Sequence, residues 1–181
     1  MIRNPIEHLL EEHKVIMAQV ADLRRAVRDL EARGDAALPD SLPVLRRLGH
    51  MMETQLACHA RKEDEALFPA MEAIFGAEGT PTAVMRVEHT EIHRRGELFR
   101  RTLAELQTVE HPALEVKGEA LRSLAGAKAS GADALRATAE EIIELIDLHF
   151  GKEEQILFPM AQQILDAETL ADVGRKMEAL A

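Results

Sequence analysis

Apolar residues recur at spacings of three and four along nearly the whole of this 181-residue chain, and no stretch alternates with period two. Stripes of that kind can leave water only by packing helix against helix. The breaks between them carry their own signals. Asn4 is a good N-cap with Pro5 behind it, and Gly34 closes the first stripe. The resulting helices are expected over about 5–33, 42–75, 81–110 and 131–166, with a short helix at 168–180 covering one end. The stretch 112–132 reads equally as a short helix or as an early part of the fourth. Four long amphipathic helices with short connections predict an all-α fold, an antiparallel up-down four-helix bundle with a short C-terminal helix, in one domain spanning 1–181.

The stripes contain residues that a buried face should exclude. His13, His59, Glu63, His89, His93, His149 and Glu153 all fall on them. Glutamate is rarely buried unless it is paired or metal-bound. His59/Glu63, His89/His93 and His149/Glu153 are i,i+4 pairs, each on one helix face a turn apart. Counted in residues from the chain reversals, and at about 1.5 Å rise per residue, these groups sit within about one turn of the same level when neighbouring helices run antiparallel. The segment HARKEDEALFPAMEAIF (59–75) also aligns with HFGKEEQILFPMAQQIL (149–165), sharing seven of 17 positions. The chain therefore reads as two helix hairpins related by a pseudo-twofold axis, which suits a two-centre site on that axis.

Five imidazoles and two carboxylates exceed what one tetrahedral zinc needs, and they suit two metal ions bridged by the carboxylates. Such donors favour Fe, Mn or Zn over Ca or Mg. HTEIH (89–93) lacks a glutamate directly after its first histidine, so it is not a zinc-protease helix. No histidine has a glutamate three residues before it, which disfavours the ferritin-like carboxylate bundles. Composition narrows the partners. A net charge of −10 argues against sequence-independent nucleic-acid binding. No run approaches the ~20 apolar residues of a membrane span, and the N-terminus has no apolar signal segment. The single cysteine, Cys58, excludes an internal disulfide and a multi-cysteine zinc site, and it fits a reducing compartment, the cytoplasm by default. With no Tyr, tyrosyl-radical chemistry is closed; with no Trp either, the near-UV is almost free of protein absorption.

The combination of EEH (11–13), HARKE with LFP (59–69), EHTEIH (88–93) and HFGKEE with LFP (149–159) resembles the hemerythrin-like, or HHE cation-binding, domains over nearly the whole chain. The resemblance implies a four-helix bundle around a non-haem di-iron centre, two Fe ions bridged by oxo or hydroxo, with Mn or Zn as substitutes. By position, His89, His93 and His149 would hold one iron, and His13 and His59 the other. Glu63 and Glu153 would bridge them, and the iron with two histidines would keep an open position for a small ligand. Oxygen-carrying animal members have an Asp five residues after the last His. Here position 154 is Glu, so Glu154 is the alternative bridge to Glu153. Asp64 and Glu154 are otherwise expected on a solvated helix face, with His8 and His50 exposed, His111 in a turn and Cys58 packed. Pro69 and Pro159 should kink or end the regular helix beyond the site. The expected function is binding of O2 or another diatomic ligand, as carrier, store or sensor. The alternatives are an enzyme consuming peroxide or NO, and an iron storage or repair protein. The last is the weaker, because repair-type relatives carry a cysteine-bearing domain ahead of the bundle.

Overall fold

A computed structural model describes residues 4–109 and 131–180. The stretch 112–130 and His111 lie outside the described residues. Helix α1 (Pro5–Arg33) begins as its sequence dictates: the Asn4 side chain accepts from the amides of Ile6 and Glu7, and Pro5 sits in the first turn. Gly34, at φ 56°, ends it in a conformation that favours glycine. A 3₁₀ turn (Gly34–Ala37) leads into α2 (Leu38–Met51), four residues earlier than the expected start. Ser41 and Leu42 are already buried there, because the turn carries the chain straight back against α1. Asp35 in that turn accepts from the amide of Ala132, holding the start of the last long helix.

From Leu38 to Phe75 the chain is helical throughout, but its regularity breaks twice. A π segment (Met52–Leu56) leads into α3 (Ala57–Lys62), and a second π segment (Glu63–Leu67) leads into α4 (Phe68–Phe75). Then come α5 (Pro81–Val109), α6 (Gly131–Lys152), a third π segment (Glu153–Leu157), α7 (Phe158–Ile164) and α8 (Ala167–Leu180). The second and third π segments share a cause. Each runs directly into Phe-Pro, and Pro69 and Pro159 have no N–H to offer the carbonyl four residues back and clash with it. The chain widens for one turn rather than break. Both wide turns begin on the buried glutamate of an i,i+4 pair.

Nearly all the described residues are helical and none is in a strand, and the helices pack as a bundle. Helix α1 lies against α2 and α6, and α5 lies against α6 and α2. Helix α8 crosses α3, where Cys58 donates to the Leu180 carbonyl, as a packed thiol should. The apolar core is in two parts. One surrounds Leu23, Leu45, Phe99, Leu135 and Ile146; the other surrounds Leu9, Leu67, Phe68, Met71 and Phe158. Each fully buried side chain of this kind contributes roughly 1.5–3 kcal/mol. The layer between the two clusters is polar. No helix among the described residues is long and apolar enough to cross a membrane.

Candidate metal centre

Six of the seven expected side chains meet in that layer. His13, His59, Glu63 and Glu153 form one group whose donor atoms lie within 4.8 Å of one another. Glu63, His89, His149 and Glu153 form a second. Both carboxylates belong to both groups. His13 Nε2 is 3.2 Å from Glu153 Oε2, and His149 Nε2 is 3.0 Å from Glu153 Oε1. His89 Nε2 is 3.3 Å from Glu63 Oε2, and His59 Nε2 is 3.6 Å from the same oxygen. Glu63 and Glu153 are fully buried.

The other nitrogen is hydrogen-bonded elsewhere in three of the four rings. His13 Nδ1 meets Glu154 at 2.8 Å, His59 Nδ1 meets Glu12 at 3.0 Å, and His149 Nδ1 meets Glu88 at 3.0 Å. His89 Nδ1 lies 3.1 Å from Asp64 Oδ1, close enough to pair with it but not aligned for a hydrogen bond. A carboxylate accepts only, so in His13, His59 and His149 the Nδ1 carries the proton and the Nε2 turns a lone pair to the centre. His13 Nε2 and His59 Nε2 therefore face each other at 3.0 Å with nothing to donate between them. All four oxygens of Glu63 and Glu153 also lack a hydrogen bond. Leaving such groups buried and unpaired is costly. A cation between them satisfies lone pairs and carboxylates at once, so the donors fit a bound metal.

The electrostatics of the two carboxylates points the same way. Burial, reinforced by the adjacent Glu153 carboxylate, pushes Glu63 well above the usual carboxylate range. Burial would raise Glu153 too, but contacts with His13 and His149 outweigh it and hold Glu153 low. Burial lowers the His59 imidazole, keeping it neutral as a ligand must be. In His149 burial acts in the same direction, but Glu153 outweighs it and the net shift is upward. Glu12 is held at about 2, because hydrogen bonds from His59 and Lys62 outweigh its burial.

Asp64 and Glu154 are thus not simply a solvated face. Each is partly exposed, yet each touches the Nδ1 of a central histidine. Glu154 therefore orients His13, while Glu153 occupies the shared position. Glu12 and Glu88, which lie within the EEH and EHTEIH segments but have no role of their own in the sequence pattern, do the same for His59 and His149, and are themselves paired with Lys62 and Lys152. His8 is only half-exposed and accepts from the buried Lys62 at 3.1 Å. A sequence signal for these partners exists in hindsight: each lies one residue from a donor, in the doublets Glu12-His13, Glu63-Asp64, Glu88-His89 and Glu153-Glu154. His50 is exposed, as expected.

The contacts repeat in pairs. His13/Glu154 matches His89/Asp64, His59/Glu12 matches His149/Glu88, and Phe158 near His13 matches Phe68 stacked on His89. The seventh expected ligand, His93, is in neither group. It is exposed, one turn along α5 from His89, and lines a cavity of about 690 Å³ that reaches the His59, His89 and His149 rings.

A helical bundle whose core layer holds four imidazoles and two shared carboxylates defines a cation-binding helical protein. The chain belongs to the hemerythrin HHE cation-binding domain family, which residues 4–122 match. That span includes His13, His59, Glu63 and His89; His149 and Glu153 lie beyond it and join the site through the fold. No curated protein gives a significant match.

Proposed function

We propose that this chain is a di-iron protein, one domain folded as an antiparallel up-down four-helix bundle, that binds O2 or another small diatomic ligand as a carrier, store or sensor. A cytoplasmic location belongs to the same reading, on the strength of its single cysteine. His13 and His59 would hold one ion and His89 and His149 the other, with Glu63 and Glu153 shared. His93 is assigned to the cavity above the second ion rather than to its donor set. The observation that carries the reading is the pair of Nε2 lone pairs facing at 3.0 Å beside two unpartnered carboxylates. Iron bound there would supply reversible one-electron chemistry at each ion.

The chain's own residues do the rest. Glu154, Glu12 and Glu88 hold three Nδ1 atoms by hydrogen bonds and so aim those Nε2 atoms inward, and Asp64 stands beside the Nδ1 of His89. Phe150, stacked on His13 with ring centroids 3.7 Å apart, and Phe158 exclude water from one side, and Phe68 covers His89. The described site places no hydroxyl or ammonium against the central carboxylates, which suits reversible binding over proton-driven release of peroxide. A second reading, an enzyme consuming peroxide or NO, draws support from the cavity, which opens the His89 side to solvent.

Anaerobic loading with Fe(II), followed by O2 and visible spectroscopy, separates them. A stable adduct that reverses under argon supports binding. Prompt oxidation with release of peroxide overturns it, and steady gas evolution from added peroxide establishes the enzyme.

A further inference from the structure

The two halves of the site are matched in their donors and mismatched in what surrounds them. With His13 laid on His89 and His59 on His149, Ala60 corresponds to Phe150, His93 to Met17 and Gly96 to Val20. On the His13 side Phe150 and Val20 are buried and close the core. On the His89 side the smaller Ala60 and Gly96 stand in their places, and both line the cavity of about 690 Å³. A Cβ on Gly96 would come within 2.8 Å of Met52 Cε, so glycine also lets Met52 lie along the wall.

The size of this space decides what it suits. A water's share of liquid volume is about 30 Å³, so a diatomic molecule or peroxide would leave nearly all of it empty. Sites for organic ligands span roughly 300–1,000 Å³. The walls are apolar, through Met52, Leu56, Ala57 and Ile92. The two arginines at the mouth are engaged: Arg100 pairs with Glu53, and Arg61 donates to the Leu180 carbonyl at 2.7 Å. Arg61 also lies 3.7 Å from Glu65, so each arginine already has a carboxylate partner. The floor is three imidazoles with Asp64 beside them, a place for one hydroxyl.

We propose that this cavity is a binding site for a neutral organic molecule with an apolar body and one hydroxyl group, held directly over the His89–His149 half of the centre. The inference rests on the metal-centre reading for its functional meaning, but the cavity belongs to the chain and can be probed without metal. The occupant lies with its apolar body between Leu56 and Ile92 and its hydroxyl toward Asp64, beside the imidazoles. Ala60 sets the depth of the site, because a larger residue there would repeat what Phe150 does in the other half.

The chain has no Trp or Tyr, so a fluorescent aromatic alcohol can be followed with almost no protein background. The probe is 2-naphthol, titrated by fluorescence into the metal-free and the metal-loaded full chain, with metal content measured separately. Saturable one-site binding is expected in both. Ala60→Phe should weaken it roughly tenfold or more, and Ala60→Leu less. Circular dichroism and metal content of both variants should match the parent, which shows that the fold and the centre persist. Absence of saturable binding overturns the proposal, as does binding that folded Ala60→Phe and Ala60→Leu variants leave unchanged. Failure of the metal-centre reading would show instead as low metal content in the parent, with 2-naphthol binding intact.

Discussion

Replacing Glu63 with glutamine separates the two things this carboxylate does. It is fully buried, neither oxygen has a hydrogen bond, and Glu153 lies beside it. In the metal-free protein it is a burden. An unsatisfied buried polar group costs about 1–3 kcal/mol, and more when charged. Glutamine keeps the shape, removes the charge, and can donate its amide to Glu153 or to the lone pair of His59 Nε2. Metal-free Glu63→Gln should therefore be more stable than the parent by about 1–3 kcal/mol, or roughly 2–12 °C for a chain of this size. The gain should depend on pH. Glu63 has a raised pKa in the folded state, so its contribution is fully present below its ordinary value of 4.5 and is lost as pH rises through the raised value. Taking the difference from the parent cancels the other groups, and that difference should widen between about pH 5 and about pH 8. With metal the order reverses. Ligation needs the ionised carboxylate, and a ligand at 100 times its Kd stabilises by about 2.7 kcal/mol. Thermal melts of stripped and loaded protein at both pH values, with metal analysis, test all of this. A metal-free variant that melts below the parent at pH 8, or that still carries the parent's full metal content, would refute the reasoning.

Asp64→Asn and Glu154→Gln should each weaken metal binding by roughly 10–100-fold while helicity stays unchanged, measured by equilibrium dialysis. His93→Ala should keep the parent's metal content and His89→Ala should lose part of it; equal losses would return His93 to the donor set. Phe150→Ala removes a buried ring stacked on His13 and should cost about 3–5 kcal/mol in urea unfolding, where a loss below 1 kcal/mol would mean the ring is not the packing element of that half.

Much of the molecule could be read from local pattern. Helix positions follow from apolar spacing and from Asn4, Pro5 and Gly34, because capping and periodicity act within a turn or two of chain. The central donors were legible for a related reason: a glutamate or histidine on an apolar stripe breaks the rule that stripes obey, and His59, Glu63, His149 and Glu153 break it in register. The LFP repeat pointed to a kink or an end beyond the site; the helices instead run on and widen within it, from Glu63 and Glu153, since a proline acts on its own preceding turn.

The remainder required three dimensions. Glu12, Asp64, Glu88 and Glu154 sit on partly exposed faces, where acidic residues are common, and only packing against a different helix gives each one a histidine to orient. His93 obeys the same i,i+4 spacing as His59/Glu63 and His149/Glu153, yet it stands exposed at the cavity and outside both donor groups; spacing fixes which face of its own helix a residue shares, not how near the next helix comes. The cavity has no linear signature at all, because it arises from Ala60 and Gly96 standing where the matching half has Phe150 and Val20. By itself the sequence determined four amphipathic helices and the level at which their polar groups meet, since both are properties of single helices. Which nitrogens face inward, and which half stays open, depended on contacts between residues far apart in the chain, and those exist only once the helices have packed.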